Sequence, residues 1–274
     1  MPILLRIHVT LFVLCLTLFA NRAYAQNVPT PSVPTISVPK SEACIPGTPA
    51  WTTDGDVGGA TVTLTSMLVS TKAKRTYEHA LKALTLKNFD EAEKQLKMAL
   101  SISPVSAVGW CLMGTLHEEK FELDKASIDY SQALSADSQL LPAYLGLARI
   151  AFREKRWHQV LRFTDQLSKV DPVAFPAAYF YNAAANFNLR DLNSAEKNAR
   201  KFESLDTEHE RPQVYLLLGD ILARERHFAG AAEQKKFFLT IVPDADDTDE
   251  IKEQIKILED LSRRKEKVGV TSIN

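Results

Sequence analysis

Residues 110–134 read WCLMGTLHEEKFELDKASIDYSQAL, and this stretch decides the fold. A small residue, Gly114, lies four positions after Trp110; bulky Leu123 opens a second apolar run, and Ala126 lies twelve positions after Gly114. The arrangement then recurs. Trp110 is followed by Tyr144 at 34 residues, Tyr179 at 35 more and Tyr215 at 36 more. Four residues after each come Gly114, Ala148, Ala183 and Gly219, and twelve further on come Ala126, Val160, Ala195 and Ala231. A weaker early copy keeps Ala80 and Ala92 at the same separation, and bulky residues precede each second helix at Phe89, Leu123, Trp157, Leu192 and Phe228. Self-similarity with a period in the thirties is the mark of a helical solenoid, in which one unit cannot bury its apolar face alone.

Each unit reads as two amphipathic helices. In the third, Tyr144, Leu147, Ala148 and Ala151 fall at i, i+3, i+4 and i+7, one face of a helix. Small residues let paired helices approach closely, and the aromatic residue is expected to fill the space between neighbouring units. Pro104, Pro172 and Pro243 close the first, third and fifth units, because proline lacks the amide hydrogen that would continue a helix. Ser138 and Thr207 stand in the corresponding places of the second and fourth.

Residues 110–134, together with AYLGLARIAFREKRWHQVLRFTDQLSKVDP (143–172) and VYLLLGDILARERHFAGAAEQKKFFLTIVP (214–243), resemble tetratricopeptide repeats. The resemblance implies an all-α superhelical solenoid of five helix-turn-helix units within residues 73–245: 73–106, 107–140, 141–174, 176–209 and 212–245. The first unit departs most, with Thr76 at the aromatic position, and the fourth has Asn182-Ala183 where Leu-Gly is usual. A further helix is expected over 246–267, with Asp247 or Thr248 as its cap, before a tail at 268–274. Its apolar stripe, Ile251, Ile255, Leu258 and Leu261, would cover the last open face of the solenoid.

Working toward the N-terminus, residues 1–25 read as a secretory signal peptide. Arg6 and His8 precede an apolar core from Val9 to Ala20, and Ala23-Tyr24-Ala25 provides a small-x-small cleavage site between Ala25 and Gln26. The core is shorter than the roughly 20 residues a membrane span requires, so no stable anchor is expected after cleavage. The chain is therefore expected to be exported, of a bacterial type, and periplasmic or secreted. Residues 26–50 carry six of the thirteen prolines and read as an extended, disordered linker. Residues 51–72 read as a short extended segment, with a strand signalled by the alternation of Thr61, Thr63 and Thr65 with Val62 and Leu64.

Charge and motif content narrow the function. The 274 residues hold 33 basic and 34 acidic side chains, a net charge of −1. Removing residues 1–25, which contain Arg6 and Arg22 and no acid, leaves −3. A nucleic-acid partner is not expected from a chain without a basic surplus. No cofactor or metal site is expected. His117-Glu118-Glu119-Lys120 starts like H-E-x-x-H, but Phe121 occupies the second histidine position. The acidic run from Asp244 to Asp249 lacks the central glycine and distal glutamate of a calcium loop. There is no C-x-x-C and no G-x-S-x-G, and no catalytic residue is assigned. Cys44 and Cys111 remain after signal removal; an oxidising compartment would let them pair, and separate placement would leave them as thiols.

The resemblance implies that the first helices of the units line a concave groove in which a peptide lies. By register, that lining comprises Tyr77, Leu81 and Leu84; Cys111, Thr115, Glu118 and Glu119; Leu145, Arg149, Phe152 and Arg153; Phe180, Phe187 and Asn188; and Leu216, Asp220 and Arg224. Arg149 and Arg153 are four apart and point the same way. A carboxylate of a bound peptide would satisfy them, and the alternative is pairing with Glu154 or Asp220. Packing between helices is the competing role for Phe180 and Phe187. The expected function is a non-catalytic exported scaffold that binds a protein or peptide partner. The alternatives are an accessory or regulatory subunit of an envelope enzyme, or a cell-wall or glycan binder using Trp110 and Trp157. Oligomeric state has no signature in the sequence.

Overall fold

The computed structural model describes residues 71–170 and 173–271, and among the described residues all regular structure is helical. The signal peptide, the Pro-rich linker and the strand expected before residue 71 lie outside the described residues. Among the described residues eleven helices follow one another: α1 (Thr71–Thr85), α2 (Phe89–Ile102), α3 (Ala107–Glu119), α4 (Leu123–Ala136), α5 (Leu141–Arg153), α6 (Trp157–Val170), α7 (Pro176–Asn188), α8 (Leu192–Leu205), α9 (Gln213–Arg224), α10 (Phe228–Ile241) and α11 (Thr248–Thr271). Two compact units are present, divided between Glu208 and His209. In the first, α1–α8 pair as four antiparallel hairpins; in the second, α9 and α10 form a hairpin to which α11 is added. Residues 71 and 72, expected to be extended, already belong to α1.

The helix ends follow from local chemistry. Asn88, Ser106 and Asp191 stand at N-caps, and their side-chain oxygens accept from the backbone N–H of Glu91, Gly109 and Ser194. Each thereby satisfies a donor that has no partner within its own helix. Pro142 and Pro176 sit in the first turns of α5 and α7, where no amide hydrogen is missed. The five turns within hairpins share one device. Lys87, Phe121, Lys155, Arg190 and Arg226 all have left-handed φ, between 56° and 68°. The next residue's N–H reaches back to the carbonyl five positions earlier: Asn88 to Ala83, Glu122 to His117, Arg156 to Ala151, Asp191 to Asn186 and His227 to Leu222. This is the Schellman closure, built here five times without glycine.

Hairpin interiors are made by small residues meeting across the pair. Ala92, Ala126, Val160, Ala195 and Ala231 are all fully buried. A Cβ built on Gly219 would lie 2.9 Å from Lys235 Cγ and 3.2 Å from the Ala231 carbonyl, so α9 and α10 touch backbone to backbone. Three of the four aromatic residues that open the pattern take a role the sequence did not signal. Trp110 Nε1 donates to the Pro104 carbonyl at 2.8 Å, and Tyr144 Oη donates to the Ser138 carbonyl at 3.1 Å. Tyr215 Oη bonds His209 Nδ1 at 2.9 Å. In all three the ring ties down the residue six positions before it. The aromatic anchors the preceding connection, and its polar atom explains why Trp and Tyr, not Phe, hold these positions.

In the second compact unit, Ile251, Ile255 and Leu258 of α11 are buried, while Leu261 is half-buried. A buried ammonium joins the three helices: Lys235 Nζ of α10 donates to Asp220 Oδ1 of α9 at 2.6 Å and to Gln254 Oε1 of α11 at 2.9 Å. Burial pushes the Asp220 carboxyl above its ordinary range, against the pull of Lys235 and Arg224.

Candidate interaction site

The first compact unit gathers four of the expected groove residues around one charge cluster. Glu118 of α3 is 5% exposed and Arg149 of α5 is 4% exposed. Arg149 grips Glu118 with both ends of its guanidinium, Nε to Oε1 at 2.9 Å and Nη2 to Oε2 at 2.5 Å. Tyr130 of α4 donates its hydroxyl to Glu118 Oε2 at 2.9 Å, and the Thr115 hydroxyl lies 3.3 Å from that phenol. Arg153 Nη2 stands 3.7 Å from Glu118 Oε1. One carboxylate thus binds α3 to α4 of its own hairpin and to α5 of the next.

The electrostatics follow from this geometry. Burial by itself would lift the Glu118 carboxyl; the charge and hydrogen bonds of Arg149, the Tyr130 hydroxyl and the charge of Arg153 outweigh it and hold Glu118 below the usual carboxylate range. Burial and the adjacent Glu118 push the Tyr130 hydroxyl up. Burial works against the charge on Arg149, and Glu118 reverses that effect, so Arg149 stays protonated.

This corrects the electrostatic expectation for the arginine pair. Arg149 and Arg153 do face the same way, but their acid is Glu118, which the register reading had placed only in the lining. Glu154 pairs instead with Arg156, and Asp220 pairs with Lys235. Arg149 is consequently neutralised within the protein. Arg153 is not fully satisfied: its Nε is buried without a hydrogen-bond partner among the described residues, and its side chain is 20% exposed. Its guanidinium carbon lies 5.6 Å from the centroid of the Phe121 ring. Phe121 is 78% exposed, although it occupies a left-handed turn position with φ 59°.

The other expected residues divide between packing and surface. Phe152 makes edge and tilted contacts with Trp157 and Tyr181 at centroid distances of 5.6 and 5.2 Å. Phe180 packs on Tyr181 and Phe202. Tyr77 is buried against the start of α3, where a Cβ on Gly109 would come within 2.5 Å of its hydroxyl oxygen. Leu145 and Phe187 are buried, Leu81 is half-buried, and Asn188 is exposed with Nδ2 donating to the Ala184 carbonyl at 2.8 Å. Leu216, Asp220 and exposed Arg224 belong to the second compact unit. Cys111 is buried and disulfide-bonded, and its partner lies outside the described residues.

Three features escaped the sequence reading. The unusual Asn182 donates to Thr164 Oγ1 at 3.0 Å and accepts from Asn186 Nδ2 at 2.6 Å, a buried amide ladder replacing the usual Leu-Gly packing. Tyr130 carries no sequence motif that marks it, and its role comes from the cluster around Glu118. Phe121 had a signal: alignment of the repeats puts Lys87, Lys155, Arg190 and Arg226 at its position, and it alone among them is apolar.

Among the described residues, no group of three or more His, Cys, Asp or Glu could hold a metal ion, and no helix is long and apolar enough to cross a membrane. No family model matches the sequence, and neither does any curated protein. Solved structures do match. A tetratricopeptide repeat protein from Parabacteroides merdae aligns with TM-score 0.57 over 71% of this chain and 76% of its own, at 16% identity. The fold is that of the tetratricopeptide solenoids. MamA from Desulfovibrio magneticus RS-1 aligns with TM-score 0.57 at 17% identity, over 65% of this chain and 99% of its own. YrrB, described as a TPR protein with an unusual peptide-binding site, aligns with TM-score 0.56 at 16% identity, over 66% and 92%. At such identities the likeness concerns the fold.

Proposed function

We propose that this protein is a non-catalytic, exported interaction scaffold that binds a peptide segment of a partner protein at the edge formed by Phe121 and Arg153. The observation that carries this reading is the strained, solvent-exposed phenylalanine. A left-handed residue other than glycine costs roughly 1–2 kcal/mol, and a ring 78% exposed recovers little of that by packing. Lysine and arginine fill the same turn elsewhere, so the turn itself does not require an aromatic. The adjoining Arg153 has a buried Nε without a partner among the described residues and only a 3.7 Å approach to Glu118. An apolar side chain laid on Phe121, with a carbonyl or carboxylate accepting from the accessible part of the Arg153 guanidinium, would engage both side chains. The peptide-binding site described for YrrB, on a similar solenoid, is consistent with this use of the fold.

Phe121→Gly separates stability from function. It relieves the backbone and is expected to stabilise the protein by about 1 kcal/mol, because glycine enters the left-handed region freely. It should weaken binding of peptides selected from a phage-displayed random library by about tenfold or more, the consequence of no longer burying a phenyl ring. Arg153→Gln should lose the same peptides. Thermal melting and binding isotherms check both effects. Peptides that bind Phe121→Gly and Arg153→Gln as tightly as the parent chain would overturn the assignment of the site.

Export rests on residues 1–25, whose apolar core and Ala23-Tyr24-Ala25 ending support signal cleavage. The expected product begins at Gln26. Intact-mass measurement of the exported chain checks this, and a mass that retains residues 1–25 would make the protein a tethered one.

A further inference from the structure

We infer that the turn edge of the first compact unit takes an extended partner segment of fixed polarity, its apolar half on Leu86 and Phe121 and its acidic half at Arg153, Lys155 and Arg190. The inference deepens the peptide-binding reading and rests on it for the Phe121–Arg153 contact. Topology makes the edge. Helices α1, α3, α5 and α7 are the first helices of consecutive antiparallel hairpins, and each touches the next. They therefore run parallel, and the turns at their C-terminal ends lie side by side. Two contacts join neighbouring hairpins at this edge. Lys120 Nζ donates to Glu93 Oε2, near the start of α2, at 2.9 Å, and the Arg153 guanidinium at the end of α5 stands over the Phe121 ring.

The edge changes character along its length. The first two turns present apolar side chains to solvent, Leu86 at 70% exposure and Phe121 at 78%. The third and fourth put cations in their left-handed positions, Lys155 and Arg190. Both are exposed, and neither makes an ion pair or a side-chain hydrogen bond among the described residues. Glycine would take these positions without strain, and the two cations cap no carbonyl of the fold. Lys120 and Glu122, which flank Phe121, are by contrast engaged, Lys120 with Glu93 and Glu122 with Lys125 at 2.8 Å. Charge reverses at the same point. Within three residues of Phe121 stand four acids and one base; within three of Lys155, counting Lys155 itself, stand three bases and one acid. At the first turn Lys87 is offset by exposed Asp90, and at the fourth Asp191 is committed as the N-cap of α8. An acidic ligand side chain is repelled beside the second turn and attracted beside the third, so the two halves of the segment cannot exchange places.

The spacing of the turns sets the length of the ligand. Packed helices lie about 8–10 Å apart, so successive turns are stepped by about 10 Å. An extended chain rises about 3.3 Å per residue, and roughly three residues span one step. Three steps separate the first turn from the fourth. The complementary segment is therefore roughly ten residues long, with apolar side chains toward one end and aspartate or glutamate toward the other. Charge-assisted hydrogen bonds to the guanidinium and ammonium groups hold the acidic end, and burial against Leu86 and the phenyl ring holds the apolar end. A neutral segment lacks the first of these, and a uniformly acidic one meets the acids around Phe121.

The test uses the full mature chain and a phage-displayed library of random peptides of that length. Selected peptides are expected to join an apolar end to an acidic end. Leu86→Ser should weaken their binding about tenfold, and the double variant Lys155→Glu with Arg190→Glu should do so by about tenfold as well, with helicity retained by circular dichroism. Selection repeated on the charge-reversed chain should return peptides with lysine or arginine in place of the acids, a switch that poor folding cannot produce. Parent-selected peptides that bind the charge-reversed chain equally, or a selection in which acids and apolar residues are not segregated, would overturn the inference. If such peptides still lose affinity for Phe121→Gly and Arg153→Gln, the peptide-binding reading survives that result. Peptides indifferent to Phe121→Gly and Arg153→Gln, or no peptides selected by any form, would sink that reading and the inference with it.

Discussion

Replacing Glu118 with glutamine is expected to destabilise the first compact unit by about 3–5 kcal/mol, the cost of leaving a buried arginine without its counter-charge. The amide keeps the volume of the carboxylate, so the change isolates charge from packing. Arg149 is 4% exposed and takes its strongest partner from Glu118; with that gone, neither water nor another acid of the cluster replaces it. The same group sets a pH dependence. Glu118 is held below its ordinary value in the folded state, so the folded protein binds its proton less readily than the unfolded chain. The stability it contributes is therefore complete above the ordinary glutamate pKa of about 4.3 and is lost as pH falls through the lower, folded value. Denaturant titrations between neutral pH and acid should show parent stability falling through that window and the Glu118→Gln curve nearly flat across it. Removing the whole cluster with Glu118→Leu, Arg149→Met and Tyr130→Phe should restore most of the loss, because apolar packing replaces a desolvated ion pair at little net cost. A Glu118→Gln protein that melts with the parent at every pH would show that the cluster adds nothing.

The repeat architecture was readable because its physics is periodic. A helix pair that must bury one face against the next repeats its small and aromatic residues, and Ala92, Ala126, Val160, Ala195 and Ala231 are all buried where that period places them. The charge cluster was not readable for the opposite reason. Glu118 and Arg149 are 31 positions apart in chains of side chains with several torsions each, and the period brings their helices together without saying which rotamers meet. A spacing argument could align Arg149 with Arg153 on one helix, since that requires only the 3.6-residue turn. It could not supply an acid from the neighbouring hairpin. Phe121 lies between these cases: its turn position was periodic and visible, but its significance depends on a left-handed φ and on exposure, which only the structure provides. Likewise, Trp110 and Tyr144 were recognisable as aromatics, while their hydrogen bonds to Pro104 and Ser138 were not.

Gly146→Ala is expected to destabilise the same unit by about 1–3 kcal/mol although it adds a single methyl group to a helix and improves helix propensity. The reason is Tyr130. A Cβ on Gly146 would stand 2.4 Å from Tyr130 Cζ and 2.5 Å from Cε2, and a Cβ on Gly114 would stand 2.8 Å from Cδ1 and Cε1. The ring is therefore clamped between a glycine of its own hairpin and a glycine of the next, and it is fully buried. It has no room to retreat. Its hydroxyl is also committed, donating to Glu118 Oε2 at 2.9 Å, so a ring displaced by the new methyl would break that bond as well as crowd its neighbours. Propensity alone predicts the reverse sign, a gain of about 0.8–1.0 kcal/mol for alanine over glycine within a helix. The sign of the change in melting temperature thus decides between the two effects. Pairing Gly146→Ala with Tyr130→Leu provides the control. Removing the ring costs stability on its own, but on that background the added methyl no longer meets an aromatic edge, and Gly146→Ala should become neutral or favourable. Equal effects of Gly146→Ala with and without the ring would show that the clamp around Tyr130 is not what holds the two hairpins in register.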